Sequence, residues 1–274
     1  MIENDLERCF RGEALYGDDF GPDALEQWHR DERDAYYELS ASGSKQCEGA
    51  RAYGYHALNR RHGFSRLPKG RLGPALSIGG AFGDELLPVL DRVDCATIIE
   101  PARGFSAGSL HGVSLQYVEP SVTGGMPFDD GAFGLILCFG SLHHIANVSR
   151  VVAEMYRCLR PGGFALVREP IVSMGDWRRP RAGLTKRERG IPLDVFDRIL
   201  AGTGFSVVRR ALCMFAPLNA ANARMQVAVY ASRWLVLLDS VLCRASSWNY
   251  RYHRTTVFRK LGPTNVFYVL TKTG

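Results

Sequence analysis

No two cysteines in this sequence stand at C-x-x-C spacing. Seven are scattered at positions 9, 47, 95, 138, 158, 213 and 243, an odd number. This argues against a disulfide framework or a zinc site and for a reduced, cytoplasmic setting. There is also no apolar run able to span a bilayer: the most apolar late stretch, Val227 to Leu242, is broken by Arg233 and Asp239. The opening Met1-Ile-Glu-Asn-Asp-Leu-Glu is acidic and lacks the pattern of a secretion signal. Internal repeats and low-complexity tracts are absent.

At 274 residues and 46% hydrophobic content, the chain suits one large domain or one domain with appendages. Its formal charge of +6 is unevenly spread. From Glu3 to Glu48, 13 acids stand against five Lys and Arg; from 171 to 262, 16 Lys and Arg stand against five acids. This polarity reads in two ways: the two appendages dock on each other across a pocket mouth, or a negative partner binds.

The centre of the chain carries the chemistry. Ala75, Leu76 and Ile78 read as a short buried strand. Gly79, Gly80 and Gly83 then permit a tight turn and close approach of backbone to a ligand. Asp84 and Glu85 open a helix whose N-terminus offers free N–H groups. Strand, glycine turn and helix form the front of a nucleotide-binding βαβ unit. The next strand, Ala96 to Ile99, ends at Glu100, where a carboxylate can bind two ribose hydroxyls. A solvated turn acid is the competing reading. Val113 to Val118 alternates as a third strand, and Ala132 to Phe139 is apolar throughout, consistent with burial on both faces.

The order of glycine turn, acid-ended strand, Met-Pro-Phe-Asp-Asp-Gly-Ala-Phe (126–133), Leu-His-His (142–144) and Leu-Arg-Pro-Gly-Gly (159–163) resembles class I S-adenosylmethionine-dependent methyltransferases. It is most similar to the small-molecule branch of ubiquinone and menaquinone biosynthesis. The resemblance covers about 100 of the 274 residues. It implies an α/β fold: a Rossmann-like seven-stranded sheet with its last strand antiparallel. The implied cofactor is S-adenosylmethionine, held by Ser77, Gly79, Gly80, Ala81, Gly83, Glu100, Pro101, Thr123, Met126, Cys138, Phe139 and His143. Four departures stand out: Ser77 replaces an acid, Ala81 a glycine and Gly134 an aspartate, and Val122 or Thr123 stands near the expected adenine acid. Ala81 is a small change only if its φ stays negative. Asp84 or Glu85 can stand in for the acid missing at Ser77.

His143 and His144 leave the carboxyl end of a strand, where open α/β sheets bind ligands. An imidazole there can take the proton of an acceptor hydroxyl; alternatively the pair caps and packs under the next helix. Glu169, at the end of the following strand, is a second candidate base or a partner of Arg168. No metal site is expected.

Residues 1–70 form an N-terminal helical cap, with helices near Leu6 to Ala14, Ala24 to Leu39 and Glu48 to Arg61. The resemblance implies that such a cap covers the cofactor or acceptor pocket; the alternative is an appendage that packs on the sheet or makes a homodimer. Trp28, His29, Tyr36, Tyr37, Tyr53, Tyr55 and His56 are its candidate pocket residues. Residues 71–274 form the methyltransferase domain, with insertions 171–192 and 213–262 as a substrate lid before the last strand, 266–272. Trp177, Arg178, Arg179, Arg181 and Tyr250 are expected to grip an anionic or planar acceptor. The expected activity is O-methylation of a sugar, glycan precursor or secondary metabolite. The alternatives are a methyltransferase fold without methyl transfer, either a binding subunit or a non-redox cyclase, and an RNA methyltransferase. Against nucleic acid stand the acidic N-terminus and the lack of an Asn-Pro-Pro-Tyr or Asp-Pro-Pro-Tyr segment.

Overall fold

A strand buried on both faces has no solvent side to mark with polar residues, and Phe133–Phe139 (FGLILCF) obeys this: Leu135, Ile136, Leu137 and Cys138 are each 0% exposed. The computed structural model describes residues 3–41, 53–101, 108–177, 179, 181, 183–225 and 228–274. Its elements are α1 (Glu3–Arg11), α2 (Pro22–Ala41), α3 (His56–His62), β1 (Gly73–Ile78), β2 (Val93–Ile99), β3 (Ser109–Leu110), β4 (Val113–Val118), β5 (Phe133–Phe139), α4 (Val148–Cys158), β6 (Leu159–Pro170), α5 (Leu193–Thr203), β7 (Ser206–Phe215), α6 (Ala216–Met225), α7 (Arg233–Ala245) and β8 (Pro263–Thr271).

The strands form one sheet in the order β3-β4-β2-β1-β5-β6-β8-β7. β4, β2, β1, β5 and β6 run parallel, and β8 is antiparallel to both β6 and β7. The side chains of β5 alternate between two cores. Ile136 and Cys138 join α4 and α5 residues such as Met155 and Phe196; Leu135 and Leu137 join Leu86, Val236 and Phe267 on the other face. Burying each such side chain contributes about 1.5–3 kcal/mol. The order reverses beside β1, so the crevice at the carboxyl ends of β1 and β5 is the natural ligand position.

The fold departs from expectation in three places. It has eight strands rather than seven, because Ser109–Leu110 folds back on Val113 and Ser114 as a short antiparallel edge. The segment after Gly83 is a 3-10 helix over Asp84–Arg92 rather than an α-helix. Pro88 lies inside it and supplies no N–H for an i to i−4 bond. The third N-terminal helix is short, His56–His62; residues 48–52 of the expected span lie outside the described residues. Gly134 also has a local cause: a Cβ there would collide with the Leu72 carbonyl and the Arg160 side chain.

Candidate functional site

The backbone crook after β1 is built from hydrogen bonds the glycines make possible. Gly79 N–H donates to the Ile99 carbonyl (2.8 Å) and Gly83 N–H to that of Gly80 (2.7 Å). Gly79 and Gly83 have φ of +69° and +82°. A Cβ on Gly79 would strike Ser141, and one on Gly80 would strike Ser77 and Glu85. Ala81 also has a positive φ, +46°, so the condition under which alanine would be a small change is not met. Its N–H donates to Glu100 Oε2 at 3.2 Å, and its carbonyl accepts from Tyr117 Oη at 3.0 Å. Crook and carboxylate are thus joined directly.

Two cavities meet at Ile78 and Gly79. The larger, about 390 Å³, is walled by Gly79, Glu100, Pro101, the 119–122 loop and Met126 on one side. On the other it is walled by Leu25, Trp28, His29, Glu32 and Arg33 of α2, with Ser141, His144 and Asn147. The smaller, about 130 Å³, is lined by Tyr53, Ser77, Gly80, Ala81, Asp84, Glu85 and Phe139. Here Ser77 Oγ donates to Glu85 Oε1. Burial raises the Glu85 carboxyl to about 7 even though Ser77 stabilises its charge. A carboxylate absent from β1 is therefore supplied eight residues later.

The histidine pair divides into two environments. His143 is 8% exposed and lines neither cavity. Its Nδ1 is 2.8 Å from Glu169 Oε2 and its Nε2 3.4 Å from Glu188 Oε1. Burial alone would lower its pKa, but the two carboxylates outweigh that and hold it at about 9. Glu188 falls to about 2: burial opposes, and the hydrogen bond to His143, the charges of the two histidines and the Thr185 N–H prevail. Glu169 is 0% exposed. Besides His143 it accepts the N–H groups of Ser141 (2.8 Å) and Leu142 (2.9 Å). Its burial opposes ionisation, but these partners hold its pKa below the usual range.

His144 lines the larger cavity, and its Nδ1 is 2.8 Å from Glu32 Oε2. Burial and the neighbouring His143 charge lower its pKa, so its ring is neutral near pH 7. Glu32 also accepts from Thr185 Oγ1 (2.7 Å) and Arg187 N–H (2.8 Å). His143, His144 and Glu188 each bring one ligand atom to within 4.8 Å of the others, a spacing able to hold a cation. The proton on His143 meets the same need for positive charge between Glu169 and Glu188. Arg189, 0% exposed, clamps the loop from beneath through the carbonyls of Tyr16, Leu142, His143 and Ala146. Trp28 Nε1 closes it from above on the His144 carbonyl at 2.7 Å.

Of the residues expected to hold the cofactor, Gly79, Glu100, Pro101 and Met126 wall the larger cavity, and Ser77, Gly80, Ala81 and Phe139 the smaller. Gly83, Thr123, Cys138 and His143 line neither. Cys138 points into the core as a fully buried strand residue, and Thr123 Oγ1 is occupied by Ser121 Oγ at 3.0 Å. Among the candidate bases, Glu169 is a loop anchor with no exposed surface. The described residues expected to grip the acceptor lie apart from both cavities. Trp177 stacks on Phe10 (4.2 Å) and Tyr16 (5.3 Å). Arg181 donates to the carbonyls of Met174, Thr185 and Lys186. Tyr250 bridges Ile171 and Leu193. None of the three lines either of these two cavities, and each bonds backbone groups of an irregular loop; Arg179 is exposed and lines neither, and Arg178 lies outside the described residues. Nor does any described residue of 213–262. That segment packs through α7 on β7 and α3, with Asp239 accepting the N–H groups of Met214 (3.0 Å) and Phe215 (2.7 Å). Sequence reasoning missed Glu32, Thr185, Glu188 and Arg189; the opposite charges of the two regions were their one visible signal.

Residues 84–167 match the family model of a methyltransferase domain. Among solved structures, the [4+2]-cyclase SpnF superposes with a TM-score of 0.56 at 16% identity, covering 89% of this chain and 97% of SpnF. A SAM-dependent methyltransferase from Leishmania major gives 0.56 at 13% identity, covering 98% of this chain and 90% of its own. One from Mesorhizobium loti gives 0.51 at 14%, covering 76% and 95%. At these identities the likeness to the structures is one of fold. No described helix is long and apolar enough to cross a membrane. The chain thus shares its fold with S-adenosylmethionine-dependent methyltransferases, and residues 84–167 match a methyltransferase domain, for which S-adenosylmethionine is the indicated cofactor.

Proposed function

We propose that the chain methylates a hydroxyl group on a small acceptor, with His144 taking the proton and Glu32 holding His144. The chain's residues suit the cofactor. Gly79 and Gly80 leave no room for a side chain, Glu100 and Pro101 offer a ribose edge, and buried Glu85 offers a carboxylate to an ammonium. When bound, S-adenosylmethionine supplies a methyl group made electrophilic by its sulfonium charge.

One observation carries the reading: a neutral imidazole lines the 390 Å³ cavity with its Nδ1 committed to a buried carboxylate. That leaves Nε2 as the proton acceptor. Glu32 fixes this tautomer and stabilises the imidazolium that forms, the role a carboxylate plays behind a catalytic histidine. Arg33 lines the same wall and favours an acceptor with an acidic group, such as a sugar acid, glycan precursor or phenolic secondary metabolite.

The test is the purified chain with methyl-labelled S-adenosylmethionine and a panel of hydroxylated acceptors. The expected product is a labelled methyl ether whose formation falls in Glu32→Gln. Normal cofactor binding with no labelled product from any acceptor would oppose the reading. It would favour a second one, a methyltransferase fold turned to binding or to a non-redox cyclisation. Strained Ala81, Ser77 in place of an acid and the likeness in fold to SpnF support that alternative.

A further inference from the structure

α7 is apolar on two opposite sides. Its inner side, with Val236, Asp239 and Cys243, is buried against β7 and α3. Its outer side presents Trp234, Leu237, Leu238 and Val241, which are 68, 38, 45 and 57% exposed. These positions are i, i+3, i+4 and i+7, one face of the helix. The stripe continues into the turn that follows, where Trp248 is 67% exposed, its ring 6.1 Å from that of exposed Phe258. Val257 and Leu261 are exposed beside Phe258. A surface this rich in large apolar side chains marks an interaction site.

Charge identifies the occupant. Residues 228–262 contain six Lys and Arg, at 233, 244, 251, 254, 259 and 260, and a single acid, Asp239. Asp239 is 0% exposed and faces the backbone of β7. Five of the six cations (Arg233, Arg244, Arg251, Arg259 and Lys260) are exposed. The outward face therefore combines tryptophan and phenylalanine with positive charge and no outward acid. Aromatic side chains settle at the headgroup level of a bilayer, and basic residues around them bind anionic headgroups. A second copy of the chain suits the face poorly, since a two-fold interface would set the same cations against each other.

We propose that α7 and residues 247–261 form a peripheral docking surface for an anionic lipid bilayer. The proposal is independent of the methyl acceptor. The test is co-sedimentation of the full chain with vesicles of equimolar phosphatidylcholine and phosphatidylglycerol, with pure phosphatidylcholine alongside. The mixed vesicles should bind the chain, the neutral ones far less, and added salt should release it. The Trp234→Ser/Trp248→Ser/Phe258→Ser variant should stay in the supernatant with an unchanged melting temperature, since these side chains are exposed. Arg233→Gln and Arg244→Gln should each weaken partition roughly fivefold. The proposal is overturned if the chain ignores anionic vesicles at low salt, or if the variants bind as the parent does. It is also overturned if light scattering finds a dimer that the aromatic variant splits, which would assign the face to a second copy.

Discussion

Two adjacent histidines, equivalent in the sequence, differ by the carboxylates that meet them. His143 is a buried cation at about 9, whereas His144 is held neutral at a cavity wall. Replacing His144 by Gln should lower turnover by about a hundredfold or more while leaving the melting temperature in place. His143→Gln should do the reverse, because it strands Glu169 and Glu188; a melting curve and a single-turnover rate on both variants separate the cases. Ala81 makes a second residue-scale prediction. A side chain in the left-handed region costs about 1–2 kcal/mol, so Ala81→Gly should raise stability by about 1 kcal/mol in denaturant unfolding. Gly79 and Glu100 were legible from the sequence because their spacing along the chain encodes them. Glu32 was not: it meets His144 across 112 residues, and nothing near it in the sequence distinguishes it from its acidic neighbours.

The 141–147 loop owes its shape to elements other than its own strand. Glu169 at the end of β6 accepts from its N–H groups, Arg189 donates to its carbonyls, and α2 covers it through Trp28. The ionic part of this support gives the fold a pH window. The folded pKa of His143, about 9, lies above its ordinary 6.5. Its contribution is therefore complete below pH 6.5 and lost as pH rises through about 9. Glu188 lies at about 2, below its ordinary 4.5, so its contribution is complete above pH 4.5 and lost as pH falls through about 2. Urea midpoints across pH should fall on both flanks, and Glu188→Gln should weaken both and cost about 3 kcal/mol at neutral pH. The central strands were readable from apolar runs and alternation. The 3-10 segment was less so, since Pro88 overrides an otherwise helical pattern, and nothing in the apolar stretch that contains α7 names the element it packs on.

Across the whole molecule, the opposite charges of the two ends meet at α2. Asp31 pairs with Arg187 at 2.7 Å and Lys186 at 3.2 Å, beside the Glu32 contacts that reach the cavity. Ions at molar concentration shrink the screening length to about 3 Å, so salt should loosen α2 and speed its proteolytic cleavage; cleavage indifferent to salt would show that packing alone holds it. This docking was one of two readings open in the charge pattern, which records attraction without recording where it closes. The account depends most on the crook at 79–83 and Glu100 holding the cofactor in the larger cavity. Calorimetric titration of S-adenosylhomocysteine into the parent and Glu100→Ala tests it most directly. Loss of a charged hydrogen-bond acceptor should weaken affinity by roughly ten- to a hundredfold with the fold intact; equal affinity for both proteins would contradict it.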